Sequence, residues 1–141
     1  MIDGVERGAA GKEWVMVGFG RKRDREVAAA LDELRQAETV AFGGVGIAGT
    51  LLPVTEAYRR VEAALGDGSE DLRGQLDRLL AEGTPAARVY AATLLERVDP
   101  TAGRAAWTAL RDDPAEFGTF TGCVMGRTTL REYATDRPDG P

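Results

Sequence analysis

Apolar residues along this chain recur mostly at intervals of three and four positions, the spacing that places them on one face of an α-helix. Val27, Leu31 and Leu34 predict a first helix over about residues 24–37. Asp24 stands where an N-cap is needed, because its carboxylate can accept a hydrogen bond from a free amide of the first turn.

Four further helices are predicted from their start and stop signals. Proline at a first-turn position opens a helix at Pro53. Ser69, Thr84 and Asp99 each stand at an N-cap position, and Thr84 and Asp99 are each followed directly by proline. Glycines and a new start signal predict that the second, third and fourth helices end near Gly66, Gly83 and Val98.

The remaining segments give weaker patterns. Asp113-Pro114-Ala115-Glu116 has capping spacing and predicts a single helical turn, and Thr129 with Glu132 predicts a last helix over about 129–135. Three β-prone segments, near residues 13–18, 39–42 and 118–124, are candidates to pair into a small sheet.

These elements predict a mainly α protein. We expect a compact antiparallel helical domain of five to six helices over residues 21–135, because two- and three-residue loops force neighbouring helices to fold back. The extended segments add at most one small β element. We expect residues 1–20 to form a poorly defined N-terminal segment and residues 136–141 a disordered tail.

Composition narrows the chemistry. The 141 residues include no histidine and a single cysteine, Cys123. The usual general base near neutral pH is therefore missing, as are catalytic triads, Cys–His pairs and a structural zinc site. The acidic cluster Asp67, Glu70 and Asp71 is explained by helix capping. We expect no catalytic residues, no metal, no cofactor and no enzymatic activity.

Charge and hydropathy indicate which classes of partner and which cellular location to expect. The net charge of -5 repels a phosphate backbone, so nucleic acid is not an expected partner. The basic residues at 21–25 are interrupted by Asp24 and fit a solvated helix start. No stretch approaches the roughly 18 apolar residues of a membrane-spanning helix. With no secretory signal pattern either, we expect a cytoplasmic protein without a membrane partner.

A glycine-rich stretch gives the sharpest motif. Gly44, Gly46 and Gly49 match the GxGxxG spacing that lets a backbone approach a pyrophosphate. The context departs from a dinucleotide fold, because Pro53 interrupts the following helix and no second strand with an acidic end follows about 20 residues later. The alternative is a glycine-rich loop packed tightly between helices.

Two single residues are further candidates for a partner or ligand surface. Cys123 is expected to be a buried small apolar side chain, although Arg127 could supply the cation that a reactive thiolate needs. Arg88 lies in the first turn of the fourth helix, where it opposes the helix dipole. It either pairs with an acid such as Glu82 or is kept for a partner.

The stretch from Leu79 to Asp113 resembles a HEAT-type helical pair: a leucine-ended helix, a Thr-Pro start, an alanine-rich helix and an Asp-Asp stop. The motifs GTPAARVYA (83–91) and FTGC (120–123) resemble a group of small uncharacterised bacterial helical proteins, over about residues 38–134. The resemblance implies stacked helices that present a surface to partners, and it brings no activity and no catalytic residues.

The sequence therefore predicts a non-enzymatic protein-interaction or adaptor domain that binds another protein. The alternative is a small-ligand or nucleotide-binding protein that uses the glycine-rich loop at residues 43–50. The candidate surface is carried by Gly44, Gly46, Gly49, Arg88 and Cys123.

Overall fold

The computed structural model describes residues 22–66 and 70–137. Within these ranges the protein is mainly α, with six helices and a small three-stranded sheet. In chain order the elements are α1 (22–35), β1 (Thr39–Val40), α2 (Pro53–Gly66), α3 (Glu70–Glu82), α4 (Pro85–Val98), α5 (Pro100–Leu110), β2 (Glu116–Thr121), β3 (Val124–Thr129) and α6 (Leu130–Asp136).

Most helix starts follow the local signals, but α1 is already helical at residue 22, so Asp24 lies inside it and the prediction of Asp24 as N-cap is wrong. The Thr84 hydroxyl accepts from the Ala87 amide at 3.2 Å, and the Asp99 carboxylate accepts from the Ala102 amide at 3.1 Å. Thr129 caps α6 in the same way. The cap predicted at Ser69 and the β-prone segment near 13–18 lie outside the described residues, as do all of residues 1–20 and, of the predicted tail, residues 138–141.

The segment after α5 differs from its prediction. Residues 113–116 form no helical turn, because the Asp113 carboxylate accepts from the Ala115 amide at 2.9 Å in a local turn. The carbonyls of Asp113 and Ala115 then accept from the Arg131 and Leu130 amides, each at 2.9 Å. The first residues of α6 therefore hold this segment extended as it enters the sheet.

The small sheet has the strand order β1–β2–β3. β1 is parallel to β2, with Thr39 opposite Gly118 and Val40 opposite Thr119. β2 and β3 form an antiparallel hairpin around a two-residue turn, Gly122-Cys123. The pairing of segments near 39–42 and 118–124 is confirmed, but the second segment supplies parts of two strands.

The fourth helix is the centre of the core. α4 contacts α2, α3, α5, β1 and β2, so it is apolar on nearly every face. Val89, Tyr90 and Leu94 are fully buried. None of the helices in the described ranges combines the length and the apolar character that a membrane crossing requires.

The C-terminal helix is held against α4 and α5 by one arginine. The Arg137 guanidinium lies 3.8 Å from the centre of the Trp107 ring and pairs with the Glu96 carboxylate at 2.6 Å. The Tyr133 ring stacks on Trp107 with centroids 6.0 Å apart. A partly buried cation over an aromatic face adds to the apolar packing here.

α4 and α5 approach closely at a glycine. A Cβ added to Gly103 would lie 2.4 Å from the Cα of Glu96. Because that atom belongs to the backbone of α4, the two helices would have to move apart to admit it.

We therefore expect Gly103→Ala to lower the free energy of unfolding by about 1–3 kcal/mol through overpacking. Gly74→Ala is the matched control, because an added Cβ there meets nothing within 4 Å. It should raise the stability by up to about 1 kcal/mol through helix propensity. Urea unfolding of both variants measures this, and equal effects would contradict the close approach of α4 and α5.

Candidate functional site

The end of β1 is held by side chains and not by the sheet. The Tyr90 hydroxyl accepts from the Ala41 amide at 2.7 Å and donates to the Ala41 carbonyl at 3.0 Å. The fully buried Thr55 hydroxyl donates to the same carbonyl at 2.7 Å. All polar atoms of the Ala41 backbone are thus satisfied from α4 and α2, away from β2.

The chain returns to the sheet a few residues later. Val45 forms a bridge to Gly122, and the Gly46 amide donates to the Gly122 carbonyl at 2.7 Å. Val45 and Thr50 exchange two backbone hydrogen bonds, at 2.7 and 2.9 Å, so the intervening residues form a closed turn. The structure therefore places the glycine-rich loop beside the turn of the β2–β3 hairpin.

Glycine is required at three positions of this loop. Gly46 and Gly49 have φ of 72° and 66°, values that other residues rarely adopt. A Cβ at Gly44 would lie 2.4 Å from the Gly49 carbonyl oxygen. The GxGxxG spacing is explained by the closed turn.

The alternative of a loop packed tightly between helices is wrong. Most of residues 43–50 are exposed, because the loop projects past the end of β1 and rests on Gly122. The geometry also differs from a dinucleotide site, since α2 starts only at Pro53 and the strand beside β1 comes late in the chain.

The expectation that Cys123 is buried is also wrong. Cys123 is exposed and free. The reason is its place in the two-residue hairpin turn, directly after Gly122, which has φ of 57°. Nothing in the local apolar pattern distinguishes such a turn from a buried strand.

Arg88 lies apart from the other candidates. Its guanidinium pairs with Asp113 at 2.8 Å and donates to the Gly83 carbonyl at 3.2 Å. It therefore ties the first turn of α4 to the segment before β2, and its acidic partner is Asp113 and not Glu82. Both paired side chains are less than one-third exposed.

We call residues 43–50 and 122–125 together the loop–hairpin tip. It carries three large apolar side chains that the sequence analysis did not single out: Ile47 is 99% exposed, Val124 70% and Met125 74%. The hydrogen bond from Gly46 to Gly122 brings the two turns together. The signal that could have identified them is an isolated Ile in a glycine-rich turn and a Gly-Cys pair between two β-prone runs.

Two concave regions adjoin the sheet. A cavity of about 330 Å³ lies between the residues after β1 and the end of β2, against Tyr133. A wider groove of about 680 Å³ runs beside the start of α4. It is lined in part by Glu38, Glu116 and Arg127, of which the last two form an exposed ion pair at 3.5 Å.

Phe42 forms one wall of the cavity and belongs to an aromatic cluster. Its ring centroid lies 5.0 Å from that of Tyr58 and 5.2 Å from that of Tyr90, both edge-on. Burial raises the pKa of Tyr90 to about 12. Burial and then the Glu62 charge raise the pKa of Tyr58 to about 12. These phenols stay neutral at ordinary pH.

The described ranges contain no group of three or more Cys, Asp or Glu side chains arranged to hold a metal ion. Comparison with protein-family models, with curated proteins and with solved structures gives no match.

We expect Tyr90→Phe to lower the free energy of unfolding by about 1–3 kcal/mol, because the buried Ala41 amide loses its partner. Tyr133→Phe is the control, since the Tyr133 hydroxyl forms no hydrogen bond to the described residues. Its effect should be close to zero. Equal losses for both variants would show that the Tyr90 hydroxyl does not hold Ala41.

The phenols also predict a pH dependence. A folded-state pKa of about 12 exceeds the ordinary value of 10.0, so the folded protein keeps a proton that the unfolded chain loses. This stabilisation is complete below about pH 10 and is lost as the pH rises through 12. Tyrosinate absorbance should therefore appear at lower pH in urea than in the native protein. Coincident titrations would refute the burial of Tyr58 and Tyr90.

Proposed function

We propose that this protein is a non-enzymatic protein-interaction or adaptor domain, and that the loop–hairpin tip is the surface that binds another protein. The observation that carries the proposal is the exposure of Ile47, Val124 and Met125 on two turns that are bonded together. Full burial of each of these side chains against a partner would contribute about 1.5–3 kcal/mol to the free energy of binding.

The rigidity of the tip supports this function. Residues 45 and 50 close the turn by two hydrogen bonds, and a third bond fixes it to Gly122. A surface that is ordered before binding loses little conformational entropy when the partner arrives. Gly46 and Gly49 are thus part of the scaffold, and Ile47 between them is the group presented.

The HEAT-type resemblance supports a scaffold role for the helices. In this proposal α4 and α5, joined by Asp99 alone, form the HEAT-like pair, and the tip is the surface that the stacked helices present. The proposal places the protein in the cytoplasm, with neither nucleic acid nor a membrane as its partner.

The alternative, a small-ligand or nucleotide-binding protein, rests on the cavity beside Gly43 and Gly44. None of the described residues that line it is charged. A nucleotide would bring phosphates into a site without a cation to pair them. The cavity therefore favours an uncharged ligand within this alternative.

The proposal is tested by substituting the tip. Ile47→Ser and Val124→Ser should reduce recovery of a stoichiometric partner from the native lysate by about tenfold or more, because an anchoring side chain is worth roughly 2 kcal/mol or more. Unfolding should shift by less than about 0.5 kcal/mol, since both side chains are exposed.

The matched control is Val98→Ser at the end of α4, which removes another exposed apolar side chain, 43% accessible, outside the tip. It should recover the partner as well as the unmodified protein does. A partner retained equally by all three variants, or lost with Val98→Ser alone, would place the binding surface elsewhere.

A further inference from the structure

The cavity beside the tip exists because the sheet is interrupted. β1 pairs with β2 through Val40 and Thr119, and the next pairing is between Val45 and Gly122. Four residues, 41–44, thus lie opposite only two, 120–121, of β2. The extra length bows away from β2 and leaves the space of about 330 Å³.

The backbone amides and carbonyls around this gap differ in whether they have hydrogen-bond partners. Tyr90 and Thr55 take the hydrogen bonds of Ala41. Within the described part of the chain, the amides of the exposed residues 42–44 have no hydrogen-bond partner, and neither do the carbonyls of residues 42 and 43, while the Gly44 carbonyl faces the Gly122 amide in the bridge between Val45 and Gly122. A wall of the cavity therefore holds unpaired donors and unpaired acceptors on consecutive peptide groups, which together match an amide.

The side chains around the gap are aromatic or hydroxylic. The lining includes the aromatic residues Phe42, Phe120 and Tyr133 and the hydroxylic residues Thr119 and Thr121. An ion placed here would meet no opposite charge from the described lining, which therefore offers it no ion pair. A planar ring would meet aromatic neighbours in the geometries that rings prefer.

The position also agrees with where open sheets bind ligands. β1 and β2 are parallel, so their carboxyl ends face the same way, and the cavity lies beyond β1 and beside the last residues of β2. Ligands of such sheets bind in the crevice outside the carboxyl ends of the strands. Its volume falls at the lower end of the range for small-molecule pockets, roughly 300–1,000 Å³.

We propose that this cavity is a binding site for a small, uncharged aromatic amide, with the ring between Phe42 and Tyr133 and the amide on the free peptide groups of residues 42–44. The site is separate from the apolar residues of the tip that bind the partner in the function proposed above.

The test uses benzamide, with benzoate as an isosteric charged probe and protonated benzylamine as the cationic one. A ligand of this size should bind with a dissociation constant of about 1 mM. In amide-resolved NMR of the whole protein, benzamide should shift the resonances of residues 42–44 and 119–122, and neither ion should do so. Shifts elsewhere, equal shifts with benzoate, or none at about ten times that concentration would overturn the proposal.

Two glycine variants test the location. Gly43 lines the cavity and an added Cβ meets nothing within 4 Å, so Gly43→Leu should fold normally and weaken benzamide binding at least tenfold. Gly66→Leu, which also adds a side chain in open space, should bind as the unmodified protein does. Unchanged affinity in Gly43→Leu would place the ligand elsewhere.

Ile47→Ser separates this inference from the proposed function. It should keep full benzamide affinity while it loses the protein partner. Loss of benzamide binding in this variant would overturn a separate site, whatever the outcome of the partner experiment.

Discussion

The hydrogen bonds between the Tyr90 hydroxyl and the Ala41 backbone are the constraint on which the sheet and the site depend. Tyr90 is fully buried in the central helix, so its hydroxyl must find a partner there. It finds the amide and carbonyl of Ala41, and Thr55 supplies a second donor to that carbonyl. Because these bonds compete with the β ladder, β1 ends at Val40 and the following chain departs from β2.

The consequences of that departure extend to the surface. The chain must turn back within a few residues to reach Gly122, and the glycines at 44, 46 and 49 permit the turn. Ile47 then lies in the closed turn, where its side chain is 99% exposed. The exposure of Ile47 thus follows from the gap in the sheet, and the gap follows from the hydrogen bonds of the buried Tyr90 hydroxyl.

Local signals predicted the helices and could not predict this site. A threonine or aspartate followed by proline specifies a helix start within a few residues, so Thr84 and Asp99 were identified correctly. The meeting of Gly46 with Gly122 joins residues far apart in the chain, and no periodic pattern encodes it. For the same reason the exposure of Cys123 and the pairing of Arg88 with Asp113 required the structure.

The loop–hairpin tip differs from the rest of the chain in carrying no charged residue. Charged residues make up 29% of the chain, yet residues 43–50 and 122–125 contain none. Several charges tie elements together, as in the pairs Arg88–Asp113 and Arg137–Glu96. In the proposed function, recognition at the tip therefore rests on apolar contact and backbone hydrogen bonds, which salt screens far less than surface ion pairs. Under that proposal a fixed, neutral tip selects a partner by shape, and its specificity depends on how closely the partner fits Ile47 and the hairpin turn beside it.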